Sequence, residues 1–186
     1  MHTIYVAIRS QQTFDGKQVE IPAFYGGRFK HSTYCGYALL SEILEQTLSV
    51  QYRADEIAQQ SGGKPYNSAG KYCFSYAHSE ELIMCAVGTQ NMGVDVEITR
   101  DIDARMFPKI LSQTDRDDCV EPLTAWVIKE AYAKYTGQGL AAGFANLSVR
   151  DLLAELPNEV SVGAAYTSVI FFANRDTVIN TVEPLY

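Results

Sequence analysis

The sequence predicts an α+β fold made of two similar halves. The predicted elements run β-α-β-β in the first half and β-α-α-β-β-β in the second, so the second half roughly repeats the plan of the first. A chain of 186 residues suits one ordinary domain or two small packed lobes. We place the junction near 88–92, which predicts an N-terminal lobe over 1–90 and a C-terminal lobe over 91–186.

The strands are predicted from short runs that alternate in polarity or are rich in β-branched residues. They cover 3–9, 72–76, 81–88, 92–98, 146–150, 160–173 and 176–182. Turn signals separate them at Asp15-Gly16, at 88–91 and at 174–176. The first of these strands begins at the N-terminus, where no basic segment and no small-residue cleavage site indicates a signal peptide.

Helices are predicted on both sides of the junction. Residues 35–49 carry apolar side chains at helical spacing, and 124–136 form a strong helix ended by Gly137 and Gly139. The more polar segment 101–121 is predicted to hold one or two short helices. Each half therefore contains at least one helix able to cover a sheet.

Composition and charge narrow the class of protein. Apolar residues make up 47% and charged residues 20%, which is typical of a globular protein. A net charge of −7 argues against nucleic acid as the main partner, and no apolar run reaches the roughly 18 residues of a membrane span. The four cysteines lack metal-ligand spacing and indicate free thiols, so we expect a cytoplasmic protein.

Two acids share one face of a predicted strand. In Gly93-Val94-Asp95-Val96-Glu97, Asp95 and Glu97 are two residues apart and point the same way, while Val94 and Val96 point into a core. Neighbouring carboxylates repel each other unless a cation lies between them, and Mg²⁺ prefers oxygen ligands. The spacing alone fits either a metal site or a solvated strand face.

A second group lies on the strong helix. Trp126, Glu130 and Lys134 recur every four residues and form one stripe, whereas Lys129 lies about 100° away from it. The spacing fits either an amphipathic helix with a Glu130–Lys134 pair or part of a binding site. Trp126 is the single tryptophan of the chain.

Two further segments could contact phosphate. Lys64 follows two glycines in a loop, from which an ammonium group can reach an anion. His78 and Ser79 stand together near the end of a strand and can both donate hydrogen bonds, although a lone histidine is more often an ordinary surface or core residue. No Walker A, G-x-G-x-x-G, G-x-S-x-G or H-E-x-x-H motif is present.

Taken in order, these segments resemble one family. Gly-Lys-Pro at 63–65, Phe-x-x-x-His-Ser at 74–79, Gly-Val-Asp-Val-Glu at 93–97 and Trp-x-x-Lys-Glu-Ala-x-x-Lys at 126–134 are similar to the Sfp-type 4′-phosphopantetheinyl transferases. The resemblance is strongest over 62–140 and weak after about 150. It implies two similar lobes in pseudo-twofold arrangement, with coenzyme A bound between them.

The resemblance also implies an activity and its partners. The phosphopantetheine arm of coenzyme A would pass to a serine of an acyl or peptidyl carrier protein, with Mg²⁺ as cofactor and 3′,5′-ADP released. Asp95, Glu97 and Glu130 would hold the Mg²⁺, Glu130 or a metal-bound water would take the serine proton, and Lys134 would stabilise charge at the pyrophosphate. Two lobes in one chain would complete the site, so we expect a monomer.

The remaining roles concern coenzyme A itself. Lys64 would contact it from the loop, His78 would contact its 3′-phosphate, and Ser79 would belong to the same binding site. Trp126 and Lys129 would position the helix and the ligand. Relatives often carry an arginine where this chain has Tyr37, and Phe-Asn-x-Ser-His-Ser where it has Ser75 and Ala77. Arg28 or Lys30 could replace the missing contacts to the 3′-phosphate.

Two other functions fit the same residues. One is a Mg²⁺-dependent hydrolase of a nucleotide diphosphate, in which water would replace the carrier serine. The other is a non-catalytic module that binds coenzyme A or a carrier protein. A degenerate module would be expected to lose at least one of Asp95, Glu97, Glu130 and Lys134, all of which are present.

Overall fold

The computed structural model describes residues 2–139 and 143–183, and it confirms an α+β fold. Residues 1, 140–142 and 184–186, which the predicted lobe ranges include, lie outside the described residues. The strands are β1 (His2–Ser10), β2 (Ile57–Gln59), β3 (Pro65–Asn67), β4 (Cys73–Ser79), β5 (Leu82–Gly88), β6 (Met92–Ile98), β7 (Asn158–Val162), β8 (Tyr166–Phe172) and β9 (Thr177–Thr181). The helices are α1 (His31–Ile43), α2 (Phe107–Ile110), α3 (Gln113–Asp117), α4 (Pro122–Thr136) and α5 (Val149–Glu155).

The first sheet has the strand order β4-β5-β1-β9. β4 and β5 form an antiparallel hairpin, β1 pairs antiparallel with β5, and β9 pairs parallel with β1. Helix α1 covers one face of this sheet, where Leu39, Leu40 and Ile43 pack against Ile83 and Cys85. The last strand of the chain therefore belongs to the same sheet as the first.

The second sheet has the order β6-β8-β7 and is antiparallel throughout. Helix α4 packs on it, and Ala131 shares a cluster with Val169 and Phe171 of β8. At the start of α4, Pro122 occupies the first turn and the Glu121 carboxylate accepts hydrogen bonds from two backbone N–H groups. Gly137 ends the helix with a φ of 73°. These signals fix both ends of the helix that carries the candidate site.

A third cluster joins the two sheets. Val94 and Val96 of β6 face Met84 and Ala86 of β5, and all four are buried. Along the same border the serine hydroxyls of β4 bridge to β6, because Ser75 Oγ accepts from Val94 N at 3.2 Å and Ser79 Oγ accepts from Ile98 N at 3.2 Å. The alternation predicted for β6 is thus realised, with the valines toward the first sheet and the acids toward α4.

Several predicted elements were wrong in type or extent. Residues 146–150 were predicted as a strand, but the Ser148 side chain caps α5 by accepting from Asp151 N at 3.4 Å. The strand predicted over 160–173 is a hairpin of β7 and β8, which turns at Gly163. Within the described part of the chain, no helix has the length and apolar character needed to cross a membrane.

Candidate active site

A cleft of about 460 Å³ collects most of the candidate residues. We call it the transfer cleft; β4, β6, α4, the loop before β3 and Tyr25 line it. Its walls include Lys64, His78, Asp95, Glu97, Trp126, Glu130 and Lys134. A larger open groove of about 1020 Å³ lies beside the end of α1, but none of the motif residues lines it.

Gly93 allows β6 to lie directly against α4. A Cβ atom at this position would be 2.2 Å from the Ala131 carbonyl oxygen and 2.3 Å from Tyr135 N, so only glycine fits without moving backbone. Asp95 follows on the same face of the strand. The glycine therefore brings that carboxylate to the helix that carries Glu130 and Lys134.

A second close backbone contact places the lysine loop. A Cβ atom at Gly62 would lie 1.7 Å from the Gly137 carbonyl oxygen, which shows how tightly the loop meets the end of α4. Lys64 Nζ then donates to Asn91 Oδ1 at 2.8 Å and to the Met92 carbonyl at 2.8 Å. Burial lowers the pKa of Lys64 to about 8.

Asp95 is the most enclosed of the three acids. It is 5% exposed, and its Oδ1 accepts from Lys134 Nζ at 2.6 Å. Its other oxygen, Oδ2, is buried without a hydrogen-bond partner among the described residues. Burial raises the pKa of Asp95, and the nearby ammonium of Lys134 partly opposes that rise.

Ser79 contacts Glu97, and it is not among the residues that line the transfer cleft. Its Oγ donates to Glu97 Oε2 at 2.5 Å while accepting from Ile98 N, and Ser79 itself is buried. Arg100 lies 3.5 Å from the same carboxylate oxygen. The prediction that Ser79 binds coenzyme A is therefore corrected, because its hydroxyl is occupied in fixing the Glu97 side chain.

Glu130 and His78 both line the cleft near the ammonium of Lys134. Burial raises the pKa of Glu130; the positive charge of Lys134 partly opposes that rise, and the negative charges of Asp95 and Glu97 add to it. Burial lowers the pKa of His78, and the positive charges of Lys134 and Lys30 lower it further. At neutral pH the arrangement favours a neutral imidazole and a carboxylate that accepts a proton more readily than a free one.

Lys129 does not reach the cleft, and its predicted contact with coenzyme A is corrected. The side chain is fully buried, and its Nζ donates to Asp115 Oδ2 at 2.5 Å, to the Ile110 carbonyl at 2.6 Å and to the Phe144 carbonyl at 3.0 Å. It projects away from the stripe formed by Trp126, Glu130 and Lys134, as helical geometry requires.

The carboxylates suit a cation chemically but do not form a finished metal cage. Within residues 2–139 and 143–183, no three His, Cys, Asp or Glu side chains are grouped closely enough to hold a metal ion. The unpartnered Asp95 Oδ2 and the mutual repulsion that raises the pKa of Glu130 are nevertheless features that a hard cation would relieve. Asp95, Glu97 and Glu130 thus fit Mg²⁺ by donor type and by placement in one cleft.

The sequence did not predict the aromatic wall of the cleft. Tyr25 lies on a short 3₁₀ turn, and its hydroxyl is 3.1 Å from that of Tyr76 on β4. Tyr37, which stands where relatives often have arginine, is buried among these rings and does not line the cleft. These aromatic residues come from three separate segments, the 3₁₀ turn, α1 and β4, which meet in the folded chain, so no local pattern could have indicated them.

Comparison with known proteins places these features in a class. Residues 91–175 match the family described as the 4′-phosphopantetheinyl transferase superfamily. That range contains β6 and α4, which carry all three candidate metal ligands.

Individual relatives belong to the same class. The chain is 27% identical over 141 residues to 4′-phosphopantetheinyl transferase Sfp of Bacillus subtilis (strain 168), a match that covers 66% of this chain and 62% of the relative. It is 29% identical over 135 residues to 4′-phosphopantetheinyl transferase HetI of Nostoc sp., covering 63% and 56%. The predicted resemblance to Sfp-type 4′-phosphopantetheinyl transferases is confirmed, although the chain spans only about three fifths of the length of these relatives.

Proposed function

We propose that this chain transfers the 4′-phosphopantetheine arm of coenzyme A to a serine of a carrier protein. The observation that carries the proposal is the meeting of Asp95, Glu97, Glu130 and Lys134 in one cleft. Those residues come from the motifs at 93–97 and 126–134, which are specific as a pair and lie about thirty positions apart in sequence. The relatives are 4′-phosphopantetheinyl transferases, which supports transfer of this arm. The sequence resemblance implies coenzyme A as its donor and a carrier protein as its acceptor.

The reaction is phosphoryl transfer, in which positioning and charge neutralisation supply most of the rate. The carrier serine oxygen bonds to the β-phosphorus of coenzyme A, the bond from that phosphorus to the bridging oxygen breaks, and 3′,5′-ADP leaves. Glu130 accepts the serine proton, a role that its raised pKa favours. Lys134 balances the negative charge that develops on the bridging oxygen.

A magnesium ion would be held by Asp95, Glu97 and Glu130. When bound it would supply a positive charge against the pyrophosphate and so lower the repulsion that an incoming oxygen meets. Ser79 fixes the Glu97 carboxylate for that role. The acids would otherwise repel both each other and the substrate.

The cations around the cleft would bind the rest of coenzyme A. Lys64 and His78 line it, and Lys30 lies near enough to lower the pKa of His78. Arg28 and Lys30 are exposed on the loop that follows Tyr25, so we assign the 3′-phosphate to that side. Tyr37 cannot contribute there because it is buried among other tyrosines.

We further propose that the chain consists of two similar lobes in pseudo-twofold arrangement, meeting near 88–92. Each would combine one sheet with one long helix, α1 in the first and α4 in the second. Strand β9 pairs with β1 and so ties the end of the chain to the first sheet. A monomeric state and a cytoplasmic location stay predictions.

The test is a panel of apo-carrier proteins incubated with coenzyme A and Mg²⁺ and analysed by intact mass. We expect the mass of one phosphopantetheine arm to be added, and we expect excess chelator or Glu130→Gln to abolish the addition. Glu155→Gln, an exposed position on α5, is the matched control and should retain full activity. Release of 3′,5′-ADP without any carrier would instead indicate the hydrolase, and binding without turnover would indicate the non-catalytic module.

A further inference from the structure

Lys129 and Asp115 form a buried ion pair behind the transfer cleft. Lys129 is 0% exposed and Asp115 is 1% exposed, and Nζ lies 2.5 Å from Oδ2. All three ammonium N–H groups donate, and both carboxylate oxygens accept. Lys129 also donates to the carbonyls of Ile110 and Phe144, while Asp115 accepts from Ser112 N at 2.9 Å and Val149 N at 2.8 Å.

The pair joins segments that do not belong to one common helix or sheet. Ile110 ends α2, Ser112 and Asp115 begin α3, Phe144 begins a 3₁₀ turn, and Val149 begins α5. All of them are attached to α4 at one point through Lys129. An ammonium group with three oxygen partners allows much less freedom of position than apolar packing at the same place would.

Two routes lead from this pair to the cleft. Glu130 follows Lys129 directly in α4, so the rotation of the helix that buries one side chain sets where the other points. The second route runs through Phe144, whose ring packs edge-on against Trp126 with centroids 5.5 Å apart at an interplanar angle of 73°. Trp126 in turn lines the cleft.

We propose that the Lys129–Asp115 pair is a positioning pair for the transfer reaction, which holds Glu130 and Trp126 in place without touching the substrate. Apolar residues of similar volume commonly give as much stability as a buried ion pair, or more. Stability alone is therefore a weak reason for a fully enclosed lysine at this point. The hydrogen bond within the pair and its four bonds to backbone groups are directional, and they supply what apolar contacts lack, which is a defined orientation of α4.

The role in catalysis rests on the proposed function, whereas the structural part can be tested without it. Trp126 is the only tryptophan, so intrinsic fluorescence and its quenching by acrylamide report on the supported wall of the cleft directly. In Asp115→Asn and Lys129→Met we expect a shifted emission maximum and increased quenching in protein that is still folded by circular dichroism. The matched control is Glu42→Gln. This change neutralises the carboxylate on α1 that pairs with Arg9 of β1 in the first sheet, and it should leave the emission unchanged.

Kinetics on an accepted carrier then separate positioning from stability. We expect kcat to fall roughly 10- to 100-fold, the size of effect expected when Glu130 is displaced by about 1 Å. KM for coenzyme A should change less than about two-fold. The neutral double variant Lys129→Met with Asp115→Asn removes the buried charge and should recover stability but not kcat. Recovery of both would overturn the proposal, as would folded single variants with wild-type emission and kcat. If the wild-type chain modifies no carrier, the proposed function fails, and the fluorescence result still decides whether the pair holds Trp126.

Discussion

Replacement of Gly93 by alanine tests whether contact between β6 and α4 builds the cleft. The added Cβ would meet the backbone of Ala131 and Tyr135 at 2.2 and 2.3 Å. Those atoms belong to a helix that is capped at both ends, so they cannot rotate away as a flexible side chain would. Strand and helix would have to separate by about 1 Å to restore an ordinary van der Waals distance.

The size of the effect follows from that displacement. Overpacking of this kind costs about 1–3 kcal/mol of unfolding free energy, whereas the same change at an unstrained site usually adds about 0.4–1 kcal/mol. For a chain of this length, a cost of 2 kcal/mol lowers Tm by roughly 4–8 °C. Because Asp95 lies on the strand and Lys134 on the helix, their 2.6 Å contact would open as well, and transfer should fall about 100-fold.

Thermal unfolding and intact-mass assays on the same preparation would measure both effects. Gly163→Ala is the matched control, since its Cβ would meet its nearest neighbour, the Tyr166 carbonyl oxygen, at 3.3 Å in an exposed turn. That variant should keep both Tm and activity near those of the wild type. A Gly93→Ala protein with unchanged or raised Tm and full transfer would refute the packing that places Asp95 beside α4.

Three further predictions concern single groups of the site. Coenzyme A should bind more weakly as pH rises through about 8, where Lys64 loses its proton. Titration calorimetry at pH 7 and 9 should show this weakening in the wild type. Lys64→Arg should abolish the difference between the two pH values. Lys134→Met leaves the Asp95 carboxylate buried without its ammonium partner. Without Mg²⁺ this should lower the free energy of unfolding by about 2 kcal/mol. Thermal unfolding should show that added Mg²⁺ reduces this loss. Ser79→Ala removes a hydrogen bond that orients Glu97. The net contribution of such a bond, about 1 kcal/mol, corresponds to roughly a five-fold fall in kcat. An unchanged kcat would show that the hydroxyl is not needed.

Periodicity predicted the elements that carry the cleft because each has a strong local signal. The alternation in β6 separates Val94 and Val96 from Asp95, and the structure shows that same separation of faces. The four-residue spacing on α4 likewise puts Trp126 and Glu130 on one wall. Such patterns depend only on the repeat of the element itself, so a sequence displays them fully.

Other features depend on contacts between distant parts of the chain. The parallel pairing of β9 with β1 joins residues about 175 positions apart, and nothing local to either strand specifies the partner. The fate of Lys129 shows the same limit. Its position about 100° from the stripe of Trp126, Glu130 and Lys134 was visible in the sequence. Its partner Asp115 carried only the signal of a capping box with Ser112, which does not indicate contact with a buried lysine.

The charge distribution explains how a chain of net charge −7 could bind a polyanion. The cations that face the cleft are held in place by neutral or acidic partners: Lys64 by an amide and a carbonyl oxygen, and Lys134 by Asp95. A substrate phosphate would therefore meet ammonium groups that are already fixed and partly desolvated, where each charge acts more strongly than at the surface. The long-range field of the protein contributes little at that distance because salt screens it within about 10 Å. Local placement of Lys64 and Lys134, set by the Gly62–Gly137 and Gly93–α4 contacts, would thus matter more for binding a polyanion than the overall charge does.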